Sequence, residues 1–202
     1  MKLYILNILL LFCLIGFGQT IKPVESEGNQ ENITVRGVYF KDVNNVLDKF
    51  VGTWKYENTL TNTVFEITFS KVINQERIFD NYADELSAQF KLSINGIEQY
   101  NTYTTSCEDC FIASGFRSYE EGFENDEFVY TEPNSNMYVG AIAEPNIEQY
   151  VLSSSLKLEY QFFLGNPAQL IWTNKASQKK RIATGEHMNV YQMPMNMVLI
   201  KQ

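Results

Sequence analysis

Two cysteines three positions apart, one histidine and a knot of five acids are the residues of this chain whose types suggest chemistry. Cys107-Glu108-Asp109-Cys110 has the spacing of a redox dithiol. A thioredoxin-like role needs the first thiol at a helix N-terminus, where the dipole stabilises the thiolate. Here the segment runs into the strand-like Phe111-Ile112-Ala113, and Glu108 and Asp109 would raise the thiol pKa. A zinc site takes four ligands, and two cysteines with one distant histidine fall short of that unless two chains share the ion. A local disulfide clipping the end of a hairpin is the plain reading; free thiols, a redox pair and a shared metal are its rivals. A bridge closing so short a loop adds little stability.

His187 is the only histidine. It sits in Thr184-Gly185-Glu186-His187-Met188, a loop ahead of the last strand. A lone histidine can act as a general base. The chain offers it no Gly-x-Ser-x-Gly elbow, no His-Glu-x-x-His and no cysteine nearby in sequence, so catalysis is not the expectation. Glu120, Glu121, Glu124, Asp126 and Glu127 form the acidic knot. Calcium loops place carboxylates at alternating positions around a sharp glycine turn, and this order is absent. Glycoside hydrolysis needs two carboxyls about 5–9 Å apart, which adjacent loop acids do not supply. A solvated hairpin accounts for the cluster. The sequence therefore implies neither a metal nor a cofactor, and an enzyme is the least favoured class.

The elements that must position these residues begin after an export signal. Lys2 is followed by an apolar run from Leu3 to Ile15, and Gly16-Phe17-Gly18 supplies the small residues of a cleavage site. The run is shorter than the ~20 residues that cross a bilayer as a helix. Residues 1–18 read as a cleaved signal peptide, with the product periplasmic or secreted. Cys13 does not make a lipoprotein signal, because Phe12 precedes it. Cleavage removes one Lys and no acid, so the formal charge of −8 becomes −9. Such a chain repels phosphate backbones, which argues against nucleic-acid binding, and it has no polybasic segment to hold an anionic membrane. No second long apolar stretch follows, so no integral membrane segment is expected in the mature chain.

Residues 19–42 are polar and read as a flexible leader, with a short extended piece near Ile33 to Phe40. Val43 to Lys49 reads as a short helical turn. From Phe50 onward the dominant period is two. Phe65, Ile67 and Phe69 share one strand face; Leu86, Ala88, Phe90, Leu92 and Ile94 share another. Asn95-Gly96 predicts a tight type I′ hairpin turn. Further strands are expected at Ile97 to Tyr103, Phe111 to Tyr119, Glu127 to Thr131, Tyr138 to Ala143, Leu156 to Phe162, Gln169 to Asn174 and Asn196 to Lys201. This spacing suggests an antiparallel barrel or sandwich. One apolar face per strand fits a closed sheet, and the expectation is an all-β, antiparallel barrel of about eight to nine strands over residues 43–202.

The strand-opening segment Asp48-Lys49-Phe50-Val51-Gly52-Thr53-Trp54 resembles the first strand of lipocalin-like domains. The chain is also similar to a family of small secreted bacterial proteins with no assigned activity. That family carries a signal, an FxGTW strand, a strand ending in Asn-Gly and a C-terminal Pro-x-x-Met-x-Leu-x-Lys, here Pro194 to Lys201. The resemblance implies that Gly52 and Trp54 seal the barrel floor. It also implies that a basic side chain of the last strand, Lys201 here, covers the indole in a cation–π contact.

Tyr56, Phe65, Phe69, Phe90, Tyr160 and Phe162, with Trp54 and Trp172, fall on the apolar faces. In a wide barrel they would line a pocket for a small apolar ligand; in a narrow one they would only fill it. Two functions follow. One is a binding module holding an apolar ligand inside. The other is a solid-core interaction or inhibitor-type protein acting through its loops and acidic surface.

Overall fold

The computed structural model describes residues 19–32, 34–105, 110–124, 127–145, 155–175, 179–181, 187–189 and 192–202. The expected signal peptide lies outside them. The chain is all-β. An eleven-stranded sheet comprises β1 (Thr20–Pro23), β2 (Val38–Lys41), β3 (Gly52–Asn58), β4 (Thr63–Glu76), β5 (Tyr82–Ile94), β6 (Ile97–Asn101), β7 (Phe111–Gly115), β10 (Met137–Ile142), β11 (Ser155–Gln161), β12 (Gln169–Lys175) and β15 (Asn196–Lys201). Two hairpins stand apart from it: β8 (Tyr119–Glu124) with β9 (Glu127–Thr131), and β13 (Lys179–Arg181) with β14 (His187–Asn189).

The period-two reading accounts for the long strands. Along β4, Thr63, Phe65, Ile67 and Phe69 are buried while their neighbours are not. The Asn95-Gly96 turn has φ of 54° and 75°, the left-handed pair that a type I′ hairpin requires. β4 and β5 pair from Thr63↔Ile94 to Glu76↔Tyr82, with a bulge between Val72 and Gln75. The last strand, β15, returns beside β3, pairing Lys201 with Trp54.

Three expectations need correction. The sheet is mixed, because β1–β2 and β2–β5 are parallel. It also does not close by hydrogen bonding. Its main path runs β1-β2-β5-β4-β3-β15-β12-β11-β10-β7. The curl brings β7 beside β5, but among the described residues no ladder joins them. The edge of β5 is already used: β2 pairs its first residues and β6 its last. Between them, Leu86 N donates to the Tyr138 hydroxyl (3.0 Å) and Phe90 N to Thr102 Oγ1 (2.7 Å). Second, the segment read as a leader contributes β1 as well as β2, the latter overlapping the extended piece expected near Ile33 to Phe40, and it buries Val38, Tyr39 and Phe40. Third, residues 43–49 form successive i→i+3 turns rather than a helix, with Asn45 N, Asp48 N and Phe50 N each bonded three residues back. The Asp42 carboxylate accepts from Val46 N and Leu47 N and so sets that path.

Candidate functional site

The aromatics expected to line a pocket are packed on one another. Phe65, Phe69 and Phe90 are fully buried. The Phe65 ring lies 6.0 Å from Phe90 and 5.5 Å from Trp172, and Phe69 lies 5.6 Å from Phe111. Tyr160 is half-buried, edge-on to Trp54 at 6.3 Å and to Phe50 at 6.2 Å. Tyr56 is half-buried too, its hydroxyl accepting from Asn58 Nδ2. Phe162 leaves the set: β11 ends at Gln161, so the alternation that buries Leu156 and Leu158 stops before it, and Phe162 is 59% exposed. At the other end of the cluster, Trp54 Nε1 donates to Phe50 O (2.7 Å), and Lys201 Nζ stands 5.2 Å from the indole centroid. Gly52 lies beside the Lys201 stem.

A cleft of about 860 Å³ lies elsewhere, and none of the six expected ligand residues lines it. It occupies the seam where β5 and β7 fail to pair. β4 overshoots the floor and ends at Gln75-Glu76, with Arg77 directly after it. Phe79 and Asp80 then turn the chain through left-handed φ of 61° and 59°. This brings Arg77, Phe79 and Asn81 to one wall; Ala113 to Ser118 form the other, and Glu27 from the leader segment closes the site. Arg77 Nη1 donates to Ala113 O (2.8 Å), and its Nη2 pairs with Glu85 (2.7 Å). Arg117 donates to Glu27 Oε1 (3.0 Å). Gly115, at φ 88°, is what lets Glu27 in: a Cβ there would stand 2.6 Å from Glu27 Oε2. Asn81 fastens the leader segment, accepting from Val38 N (3.0 Å) and donating to Val35 O (2.8 Å). Arg36 lies over the Phe79 ring at 5.2 Å.

Burial pushes the Glu85 carboxyl up; Arg77 opposes this and Glu27 adds to it. Burial likewise pushes the Tyr138 phenol well up. The cleft is thus lined by the Glu27 and Glu76 carboxylates and the Arg77 and Arg117 guanidiniums, beside Phe40 and Phe79, with Glu85 backing Arg77. Such groups can exchange each other for the charged or hydrogen-bonding groups of a bound molecule. A second cavity of about 570 Å³ shares Gly28 and Ser118 with the first and extends to Tyr130 and Pro133.

The other chemical candidates fall away from this cleft. Cys110 is buried at the entry to β7, its carbonyl accepting from Ala143 N (2.9 Å); Cys107 lies outside the described residues. His187 pairs with Arg181 across the β13–β14 hairpin. Within the acidic knot Asp126 lies outside the described residues. Glu121 is an ion-pair partner, bonded to Lys157 Nζ at 2.5 Å and lying 3.8 Å from Lys175. Among the described residues no group of three or more His, Cys, Asp or Glu is placed to hold a metal ion. Sequence reasoning missed Glu27, Arg77, Glu85 and Arg117. They carry no shared period, and only the polar tail on an otherwise alternating β4 hinted that the strand outruns its core.

The sequence model of a family of unknown function, DUF6705, matches residues 1–202, and the chain belongs to that family. No curated protein and no solved structure matches it.

Proposed function

We propose that this is an exported, non-enzymatic binding protein. Its scaffold is a lipocalin-like barrel opened along one seam, and its ligand site is the polar seam cleft rather than the interior. The observation that carries this reading is the contrast in filling. The interior aromatics sit in mutual ring contact at 5.5–6.3 Å, whereas the seam keeps about 860 Å³, a volume typical of small-molecule sites. The mixed lining of guanidinium, carboxylate, amide and phenyl groups suits a polar molecule with one apolar flank. The Trp54–Lys201 contact and the return of β15 beside β3 support the barrel reading. The signal-like residues 1–18 support export, and the rival disulfide and free-thiol readings of Cys107 and Cys110 are separated by intact mass with and without reduction.

Native mass spectrometry of the protein purified from its producing cells tests the site. A retained small molecule is expected on the parent protein and absent from Arg117→Ser, whose side chain is half-exposed and peripheral to the core. Retention of the same adduct by Arg117→Ser and by Arg77→Gln would place the ligand elsewhere.

A second reading keeps the ligand inside. Trp172 Nε1 and both amide atoms of Asn174 are buried without a protein hydrogen-bond partner. They lie two residues apart on one face of β12, at the end away from the Trp54 floor. A small ligand there would satisfy them; it would survive the seam variants and be lost in Asn174→Leu.

A further inference from the structure

The β11–β12 hairpin carries the most exposed apolar run of the described chain, at the Trp54 end of the sheet. Phe162, Phe163 and Leu164 are consecutive and are 59%, 54% and 94% exposed. Their presentation is built: Asn166 N bonds back to Phe163 O (3.0 Å), and Gly165 takes φ of 85° to make the turn. Three adjacent large apolar side chains held in water at a hairpin tip are a cost unless something covers them.

The surroundings say what covers them. From Tyr160 to Asn174 there is no charged residue, in a chain whose formal charge is −8. Two cations, Lys49 and Lys201, stand at the base of the tip, and the acids adjoining it in sequence, Asp48 and Glu159, are paired with Lys71 and Lys157. Lys201 N bonds to Ala168 O within the loop (3.0 Å), and Lys201 Nζ donates to Lys49 O (3.4 Å). Lys49 Nζ in turn lies over the Tyr160 ring at 5.9 Å. Both ammoniums are held by carbonyl or amide oxygens and rings rather than by carboxylates. The acids in electrostatic reach of Lys49 are Asp42 and Glu25, and these are engaged by Lys71 and Asn44. The basic run of the sequence, Lys179-Lys180-Arg181, lies in the β13–β14 hairpin; at the tip the fold instead pairs two lysines that are 152 residues apart.

We propose that this tip docks the protein on a membrane surface. Phe162, Phe163 and Leu164 enter the headgroup–acyl boundary, while Lys49 and Lys201 lie at the level of the lipid phosphates. The geometry favours a bilayer over a protein partner, because the tip is convex and its flanks are cationic and uncharged-polar. A single apolar insertion with two cations gives weak, reversible binding, so the protein would be peripheral. This inference is independent of the seam cleft, which faces other residues.

The test is co-sedimentation of the chain beginning at Gln19 with vesicles of phosphatidylcholine alone, and with added phosphatidylglycerol. The parent protein is expected to bind the mixed vesicles, and more weakly as ionic strength rises. The variant Phe162→Ser/Phe163→Ser/Leu164→Ser should lose about tenfold or more in partitioning, and Lys49→Gln about fivefold on the anionic vesicles only. Leu60→Ser, which changes a 96% exposed leucine on another hairpin, should change nothing. A single Leu164→Trp reporter gives a second readout that spares the fold, because Trp54 and Trp172 are fully buried. Its emission should shift to the blue on vesicles. A parent protein that stays in the supernatant, a triple variant that partitions like the parent, or a Leu164→Trp emission that does not move would each overturn the proposal; binding only to a protein partner would do so too.

Discussion

In the interior, Phe65 meets Phe90 and Trp172 ring to ring, and the backbone beneath is fully laddered from β3 to β5 and from β15 to β10. At the seam, a few residues away on the same β5, the ladder lapses. Side chains there take over the backbone's hydrogen bonds: Arg77 to Ala113 O, the Tyr138 hydroxyl from Leu86 N, Thr102 from Phe90 N, and Asn81 from Val38 N. Buried peptide groups must find partners. A region that lacks a ladder therefore recruits polar side chains, whereas a region that has one is free to be filled with hydrocarbon. The chemistry of this molecule collects where strand pairing stops.

The sharpest way to break that contrast is to empty the interior. Phe65→Ala should cost about 3–5 kcal/mol in urea denaturation, because a fully buried ring packed on two aromatic neighbours leaves a cavity that the sheet cannot close. A loss below about 1.5 kcal/mol would mean that the interior already has room, and that the cleft has a competitor. At the seam, Arg77→Gln should cost about 3 kcal/mol, since it leaves Glu85 buried without its cation and Ala113 O without its donor. The paired change Arg77→Met/Glu85→Leu should cost less than the single one, because no orphaned charge remains. If Arg77→Gln falls within about 0.5 kcal/mol of the parent, the seam is ordinary solvated surface.

These two regions were also unequally legible in the sequence. Alternation at Thr63 to Ser70 and at Leu86 to Ile94 located the interior faces, Asn95-Gly96 located a turn, and Asn196 to Lys201 is the last strand residue for residue. Periodicity works there because each strand has one face in hydrocarbon and one in water. It failed at Phe162, where apolar alternation runs one residue past the end of β11. The seam gave no such signal. Its residues come from positions 27, 77, 85 and 117, and their meeting depends on β2 running parallel to β5. Parallel pairing of distant segments leaves no local pattern, and the polar composition of residues 19–37 concealed that Val38 to Phe40 enter the core.

Two smaller perturbations test the borders of the contrast. Lys201→Ala removes the cation over Trp54 and should cost about 1 kcal/mol, with Trp54 becoming accessible to acrylamide quenching; Lys201→Arg should behave as the parent does. An indole as well shielded without Lys201 would show that ring packing alone seals that end.

The least costly test concerns the β8–β9 hairpin, which is tied to the main sheet by Lys157 and Lys175 reaching the Glu121 carboxylate and the Glu120 and Glu121 carbonyls. Hydrogen bonds from Lys157 and Thr131, outweighing partial burial, hold the Glu121 carboxyl below its usual range. A carboxylate lowered on folding contributes stability above its unfolded pKa of about 4.3, and that stability is lost as pH falls through the lower folded value. Burial acts to lower the Lys157 ammonium, but its hydrogen bonds to Glu121 and Glu159 leave it raised. Its contribution is therefore present below the unfolded lysine pKa and lost as pH rises through the raised one. One bridge thus fails at both ends of the pH scale. Because Glu121 is a third exposed, the acid limb should be worth only a few tenths of a kcal/mol. Amide exchange in β8 and β9 should accelerate in acid while β4 stays protected, and Glu121→Gln should flatten that dependence. Acid exchange that rises equally in β4 would mean that hairpin and interior open together. The polar border would then share the stability of the hydrocarbon it surrounds, and the division drawn between them would not be energetic.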